Sequence, residues 1–154
     1  MVRLASLAVF ALVAIGGTFA IRLGETPVLP ETPYDYEGTA LPSYLNTNPN
    51  GNTPADNPIT NAGATLGRVL FYDVRWSRNE TTSCATCHQQ EHGFADPSPL
   101  SIGFEGEQTA RHSMALVFPR YDTGRRFFWD KRAPTLENLA LQPIQDPIEM
   151  GMTL

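Results

Sequence analysis

Both cysteines of this 154-residue chain fall in one five-residue run, Cys84-Ala85-Thr86-Cys87-His88. Nothing else in the sequence narrows its chemistry as much. Two thiols three positions apart on a helical turn reach the two vinyl groups of one haem and form thioethers. The next residue, His88, then offers its imidazole to the iron as proximal ligand. Three competing readings fare worse. A thioredoxin-like dithiol follows a strand in a βαβ unit, but Arg78-Asn79-Glu80-Thr81-Thr82 precedes this one. A structural zinc needs four ligands around a tetrahedron, and Cys84, Cys87, His88 and His92 crowd into one short segment. A plain disulfide leaves His88 without a role. The motif therefore points to one covalently bound haem c, attached through Cys84 and Cys87 with His88 on the iron.

The first residues agree with that chemistry. Met1-Val2-Arg3 is basic, Leu4 to Ile21 is apolar except at Ser6, Gly16, Gly17 and Thr18, and Arg22 ends the run. A basic start, an apolar stretch and small residues at Thr18 and Ala20 around Phe19 describe a secretory signal. The run also approaches the length that just crosses a bilayer, so an uncleaved N-terminal anchor is the alternative. Residues 1–22 are therefore expected to be a signal peptide or an anchor, and either delivers the rest of the chain to the periplasm. A cytosolic chain is not normally loaded with haem through thioethers, so leader and motif support each other. The formal net charge of −5 argues against nucleic acid, which calls for a basic patch. The hydrophobic share of 42% includes the leader, which leaves the remainder short of core. A large apolar cofactor at the centre compensates for that shortage.

Residues 23–59 are rich in Pro, Gly, Asn and Thr without apolar periodicity, and read as an extended linker. Tyr34, Tyr36, Leu41, Tyr44 and Leu45 are its candidate tethers. Residues 60–154 form the haem domain. Thr60 or Asn61 caps a helix in which Ala62, Leu66, Val69 and Leu70 build one apolar face. Asp73 to Thr82 reads as a polar loop, and Ser83 caps a short helix from Cys84 to Glu91 that Gly93 ends. Phe94 to Arg126 lacks a sustained period, which predicts loops with brief helical turns. Pro134 and Thr135 start a last helix with Leu136, Leu139 and Ala140 on one face, stopped by Pro143. The fold class is mainly α: a cytochrome c-like helical domain with long loops, preceded by a signal or anchor helix.

The opposite face of the haem decides the function. A second protein ligand there makes the iron an electron shuttle, whereas an open position lets it bind peroxide. Candidate sixth ligands are His92, His112, Met114, Met150 and Met152. His92 lies only four residues past His88, on the same side of the haem, and reads as a surface or packing residue. For His112 and the methionines, core or surface roles are the ordinary expectation, and spacing leaves the question open.

The residues around the motif carry a resemblance. Leu66-Gly67-Arg68-Val69-Leu70-Phe71-Tyr72-Asp73, Ser83 to His88, and Gly93-Phe94-Ala95-Asp96 come first. Phe128-Trp129-Asp130, Arg132-Ala133, Leu136-Glu137, Pro143-Ile144-Gln145 and Pro147-Ile148-Glu149-Met150-Gly151 follow. In this order and spacing, from about Asn61 to the last residue, they resemble the N-terminal, peroxide-reacting haem domain of the bacterial di-haem cytochrome c peroxidases. The resemblance implies that His88 is the proximal ligand of the peroxidatic haem. It implies that Glu149 is the distal acid that moves a proton between the peroxide oxygens, a task suited to a carboxyl whose pKa burial raises. Trp129 matches the aromatic residue between the two haems and is expected to aid electron transfer; its plain alternative is core packing. Arg132 is a candidate partner for a haem propionate, or a cap on local structure.

Four departures stand out. Phe104 follows Ser101-Ile102-Gly103 where many members carry a histidine that caps the resting haem, so the site is expected to stay open without reductive activation. Leu139 stands where the family often has a distal glutamine, with Gln142 one turn away as a substitute. His112 follows Arg111 where many members have asparagine near an inter-domain calcium site, so no calcium is expected. Finally, the family has a second haem domain with its own Cys-x-x-Cys-His, and this chain has no further cysteine. Thr153 looks like the N-cap of a helix that does not follow, so a truncated, incomplete di-haem enzyme is expected. The resemblance also implies hydrogen peroxide as substrate and a small redox partner, such as a cytochrome or cupredoxin, as donor. The alternatives are a single-haem electron-transfer cytochrome c without substrate turnover, and a fragment that binds haem but lacks an electron supply.

Overall fold

The computed structural model describes residues 29–38, 43–45, 51–122, 124 and 126–154. The expected leader at 1–22 lies outside them, as do much of the 23–59 linker and its candidate tether Leu41. Among the described residues, no helix is long and apolar enough to cross a membrane. Regular structure there is helical: α1 (Asn61–Tyr72), α2 (Cys84–Cys87) and α3 (Leu136–Gln145), with short 3-10 turns between them. Strand-like pairing is confined, among the described residues, to isolated bridges at Gln89 and Ala95, Ile102 and Gln108, and Phe127 and Ala133. Long loops make up the rest.

Helix α1 starts where its capping residue predicts. Thr60 Oγ1 accepts from Gly63 N–H at 3.0 Å, which satisfies one of the orphan amides of the first turn. A second acceptor comes from the linker, where Glu37 Oε1 takes Asn61 N–H at 2.9 Å. Asn61 returns the contact by accepting from the Tyr36 and Glu37 amides at 2.6 and 3.1 Å. Arg68 then lies 4.8 Å over the Tyr34 ring. The tether is thus mainly polar, with Tyr34 and Tyr36 in it, while Tyr44 is exposed. The apolar face expected on α1 is only half covered: Val69 and Leu70 are partly buried, but Ala62 and Leu66 face out. Periodicity identifies a helix here without saying what covers its stripe.

Helix α2 is shorter than the expected Cys84 to Glu91. Ser83 N–H donates to Thr86 Oγ1 at 3.0 Å and starts it, but regular α-geometry ends at Cys87. Gln89 pairs with Ala95, and a 3-10 turn over Gln90–His92 closes on Gly93 in the left-handed region, with φ +67°. Helix α1 packs against α2, with the Phe71 and Phe94 rings edge to face at 6.1 Å.

Helix α3 also departs from expectation, in the other direction. Thr135 Oγ1 caps it by accepting from Asn138 N–H at 3.1 Å. Pro143 does not end it, and the helix runs on to Gln145. A proline so close to the C-terminus forfeits only the bond it would have donated to Leu139, and the last turn closes without it. Asp146 N–H donates to the carbonyls of both Gln142 and Pro143, at 2.9 and 3.3 Å.

Buried apolar side chains among the described residues are Phe104, Phe127, Ala133 and Met150. Three distant segments meet around Phe104 and Met150. Arg78 donates from its amide to the Met150 carbonyl at 2.9 Å and from Nε to the Gly151 carbonyl at 2.8 Å. Asn79 Nδ2 reaches the Phe104 carbonyl at 2.7 Å, and Phe104 N–H donates to the Glu149 carbonyl at 3.2 Å. Gly103 lies so close to the Ile148 carbonyl that a Cβ there would overlap it. Gly103→Ala is therefore expected to force these segments apart and cost about 1–3 kcal/mol, the usual cost of overpacking. Thermal unfolding of the haem-loaded protein checks this, and an unchanged Tm would show that the two segments yield freely.

Candidate functional site

A cleft of about 320 Å³ gathers the residues that the sequence singles out, with Cys87, His88, Trp129, Arg132 and Glu149 all on its walls. Apolar side chains complete those walls, among them Met114, Leu116, Leu139, Pro143 and Ile148. Besides the turn that carries Trp129 and Arg132, two parts of the chain line the cleft. One carries the motif and residues 109–114; the other is α3 with the turn that follows it.

On the motif side, His88 is already oriented. Its Nδ1 lies 2.8 Å from the Phe94 carbonyl oxygen, which can only accept. Nδ1 therefore holds a proton, and in the neutral ring that arrangement is the tautomer that an iron ligand requires, with the lone pair on Nε2. Ser113 supports the same wall: its hydroxyl donates to the Cys87 carbonyl at 2.9 Å and lies 3.1 Å from His88 Nδ1. Cys84 and Cys87 are free thiols, both half-buried, and burial pushes the pKa of each upward. Cys87 and His88 on the cleft wall, the unpaired Cys84 one helical turn before them and the apolar walls fit a covalently held haem, although Cys84 itself does not line the cleft.

On the other side stands Glu149, half-buried. Burial raises its pKa first, the Asp146 charge raises it further, and the Arg132 guanidinium opposes both. A second cavity of about 320 Å³ lies against the same carboxyl, lined by Phe128, Arg132, Gln142, Gln145 and Asp146. Gln142 belongs to this second cavity rather than to the cleft, where Leu139 stands. Its Oε1 accepts from Arg132 Nε at 3.1 Å and its Nε2 donates to Asn138 Oδ1 at 2.9 Å. Gln142 is thus held by its neighbours, away from the role of a distal amide in the cleft.

The tight turn between Phe127 and Ala133 presents Trp129 and Arg132. Phe128 and Lys131 in it adopt positive φ, +67° and +58°. Trp129 is not a core residue: it is 59% exposed at the cleft, with its indole N–H donating to the His112 carbonyl at 2.9 Å. Arg132 stacks 3.6 Å over the Phe128 ring and donates to Asp130 at 3.0 Å as well as to Gln142. Arg111 reaches the same Asp130 carboxylate at 2.7 Å. Its hydrogen bond, with those from Arg132, draws the Asp130 pKa down to about 2.

The candidate sixth ligands separate. Met150 is buried in the core, and His92 is exposed at the end of its 3-10 turn. Neither these nor Met152 line the cleft, whereas His112 and Met114 do. Both are sequence neighbours of Ser113, whose hydroxyl contacts His88. His112 is further engaged through Nδ1, 3.1 Å from the Ser98 carbonyl. Phe104 lies in the core beneath Gly151 instead of at the cleft, so its bearing on the site is through packing. Ser113, Asp146 and the Phe94 carbonyl escaped the sequence reading. A lone serine, an Asp before a proline and a backbone oxygen carry no signal until the chain is folded.

The raised pKa of Glu149 has a consequence for stability. Folding favours its protonated form, so its contribution is fully present below the ordinary carboxyl pKa and is lost as pH rises through the raised value. Glu149→Gln removes this dependence. Thermal unfolding of both proteins from acid to neutral pH is expected to show wild-type stability falling relative to the variant; a constant difference would place the carboxyl in solvent.

Comparison with known proteins gives the kinship of the chain. The profile of the family described as di-haem cytochrome c peroxidase matches residues 61–154. The methylamine utilization protein MauG of Methylorubrum extorquens is 38% identical over 101 residues, covering 66% of this chain and 28% of that protein. The cytochrome c551 peroxidase of Pseudomonas aeruginosa is 38% identical over 96 residues, covering 62% of this chain and 27% of that protein. Among solved structures, a MauG-like protein associated with microbial copper homeostasis superposes with a TM-score of 0.66 at 36% identity, over 78% of this chain and 33% of that one. The chain spans less than a third of the length of these curated relatives. A match reaching from residue 61 to residue 154 decides the kinship: the chain belongs to the di-haem cytochrome c peroxidase family, whose members carry haem c.

Proposed function

We propose that this chain is the peroxide-reacting haem domain of a periplasmic cytochrome c peroxidase, exported by its first 22 residues as signal peptide or anchor. Cys84 and Cys87 would hold one haem c through thioethers, and His88 would ligate its iron. The observation that carries this reading is a single cleft in which an oriented His88 and a half-buried Glu149 come from separate parts of the chain. Of the candidate sixth ligands only His112 and Met114 line the cleft, and His112 Nδ1 is engaged with the Ser98 carbonyl at 3.1 Å, which favours an open site over an electron carrier.

The reaction consumes hydrogen peroxide, two electrons and two protons and yields two waters. The haem, when bound, would supply the redox-active iron at which peroxide is reduced. Glu149 takes the proton from the inner peroxide oxygen and returns it to the outer one, so that this oxygen leaves as water. Its raised pKa suits a group that must both accept and release a proton near neutral pH. The electrons come from a small redox protein, such as a cytochrome or cupredoxin, by way of a second haem domain. Trp129, exposed at the cleft, is the residue of this chain that faces such a domain and aids the transfer. Arg132 is already shared between Asp130 and Gln142, and its remaining donor capacity serves a haem propionate.

The test uses the chain expressed with periplasmic haem maturation, with an artificial reductant in place of the donor. The ferric absorption spectrum is expected to be high-spin and to shift on adding cyanide. Glu149→Gln is expected to lower peroxide turnover by roughly 10²–10⁴-fold, the usual worth of a placed acid–base group. A low-spin spectrum indifferent to cyanide would instead favour the electron carrier, with Met114 or His112 on the iron. Full turnover in Glu149→Gln would remove Glu149 from the mechanism.

A further inference from the structure

Glu149 follows α3 by only a few residues, and a single side chain ties the two together. Asp146 Oδ1 accepts from the Ile148 amide at 2.8 Å and from the Glu149 amide at 3.1 Å. Pro147, with no N–H to offer, lies between donor and acceptor, so the carboxylate reaches past it to both following amides. The backbone of Asp146 does the rest: its N–H bonds the Gln142 carbonyl of α3 at 2.9 Å, and its own carbonyl accepts from Gly151 N–H at 2.8 Å. Across the turn, Phe104 N–H holds the Glu149 carbonyl at 3.2 Å.

We propose that Asp146 is a positioning residue for Glu149, fixing the main chain from which that carboxyl enters the cleft and presenting a negative charge beside it. The inference rests on the catalytic reading of Glu149 given above. Asp146 lines both the cleft and the second cavity, as Glu149 does, so it stands beside the working carboxyl as well as beneath its backbone. His88, Arg111, His112 and Asp130 line the same cleft as Glu149, and three further groups couple directly to its charge. Asp146 comes from its own turn, Arg132 from the Phe127 to Ala133 turn, and Cys87 from α2. Asp146 works against ionisation of Glu149 and Arg132 works for it, so the proton affinity of the acid is set between them.

The two functions of Asp146 separate by substitution. Asp146→Asn keeps an acceptor oxygen for the two amides and loses the charge; Asp146→Ala loses both. With haem-loaded protein and an artificial reductant, Asp146→Ala is expected to lose peroxide turnover by roughly ten- to a hundredfold, as misplacement of a catalytic group does. Asp146→Asn is expected to retain most of the rate. Infrared titration of the Glu149 carboxyl band, assigned by its loss in Glu149→Gln, gives a second readout. In Asp146→Asn the band is expected to titrate at lower pH than in the wild type. Turnover of Asp146→Ala equal to wild type, or an unshifted Glu149 band in Asp146→Asn, would overturn the proposal. If Asp146→Ala takes up no haem, the Asp146→Asn titration alone decides. If Glu149→Gln turns over normally, the catalytic reading fails, while the infrared band still reports whether Asp146 governs the carboxyl.

Discussion

The hydrogen bond between His88 Nδ1 and the Phe94 carbonyl organises the motif side of this molecule. For the ring to meet an oxygen only six residues ahead, the helix that begins at Cys84 must stop after Cys87. The chain then reverses through the Gln89–Ala95 bridge and the left-handed Gly93, and Phe94 itself takes a positive φ of +59°. Strain of this kind persists only where neighbours over-determine it. Here the Phe94 ring is set against Phe71 of α1, and the Ser113 hydroxyl closes on the same histidine from another segment. The outcome is an imidazole with Nδ1 committed to the Phe94 carbonyl and Nε2 touched only by the Ser113 hydroxyl, at 3.5 Å.

The acidic side is held by different means. Apolar area is scarce, and the turn from Asp146 to Gly151 is secured by hydrogen bonds to partners as distant as Arg78 and Phe104. Gly103 and Gly151 allow backbone and the Phe104 ring to approach where any Cβ would intrude. A net hydrogen bond contributes about 1 kcal/mol, so several of them around one turn matter in a domain with so few buried apolar side chains. This scaffold keeps Glu149 half-buried, and burial is the leading cause of its raised pKa.

Between the two sides, Asp130 gathers Arg111 and Arg132 at the rim. Exposed ion pairs of this sort contribute little to stability. Their effect is geometric: they fix the turn whose neighbouring residue, Trp129, stands in the open with its indole N–H tied to the His112 carbonyl. A large exposed indole at a cleft mouth is the usual mark of a contact surface rather than of a core. In a family defined by two haem domains, that exposure suits the role assigned to Trp129 as the side facing a second domain.

The local features were legible in the chain itself. The spacing of Cys84, Cys87 and His88 pointed to haem, the cofactor class of the family, and Thr60, Ser83 and Thr135 mark helix starts because capping is decided within one turn. The order of short motifs from Asn61 onward likewise disclosed the family. What lay beyond reading was every feature that depends on distant segments meeting. Leu66 looked like core and faces out; Trp129 had core packing as its plain alternative and is exposed; Gln142 looked like a substitute distal amide and is bound by Arg132 and Asn138. Pro143 looked like a stop, yet the helix passes it because so little of α3 remains to be disrupted. The sequence by itself determined the cofactor chemistry and the kinship, since both reside in residue identity and short spacing. Only the tertiary structure decided that His88 and Glu149 share a cleft, that Met150 and Phe104 do not, and that Asp146 stands beneath the acid. Those facts follow from contacts between residues far apart in the chain, which no local pattern encodes.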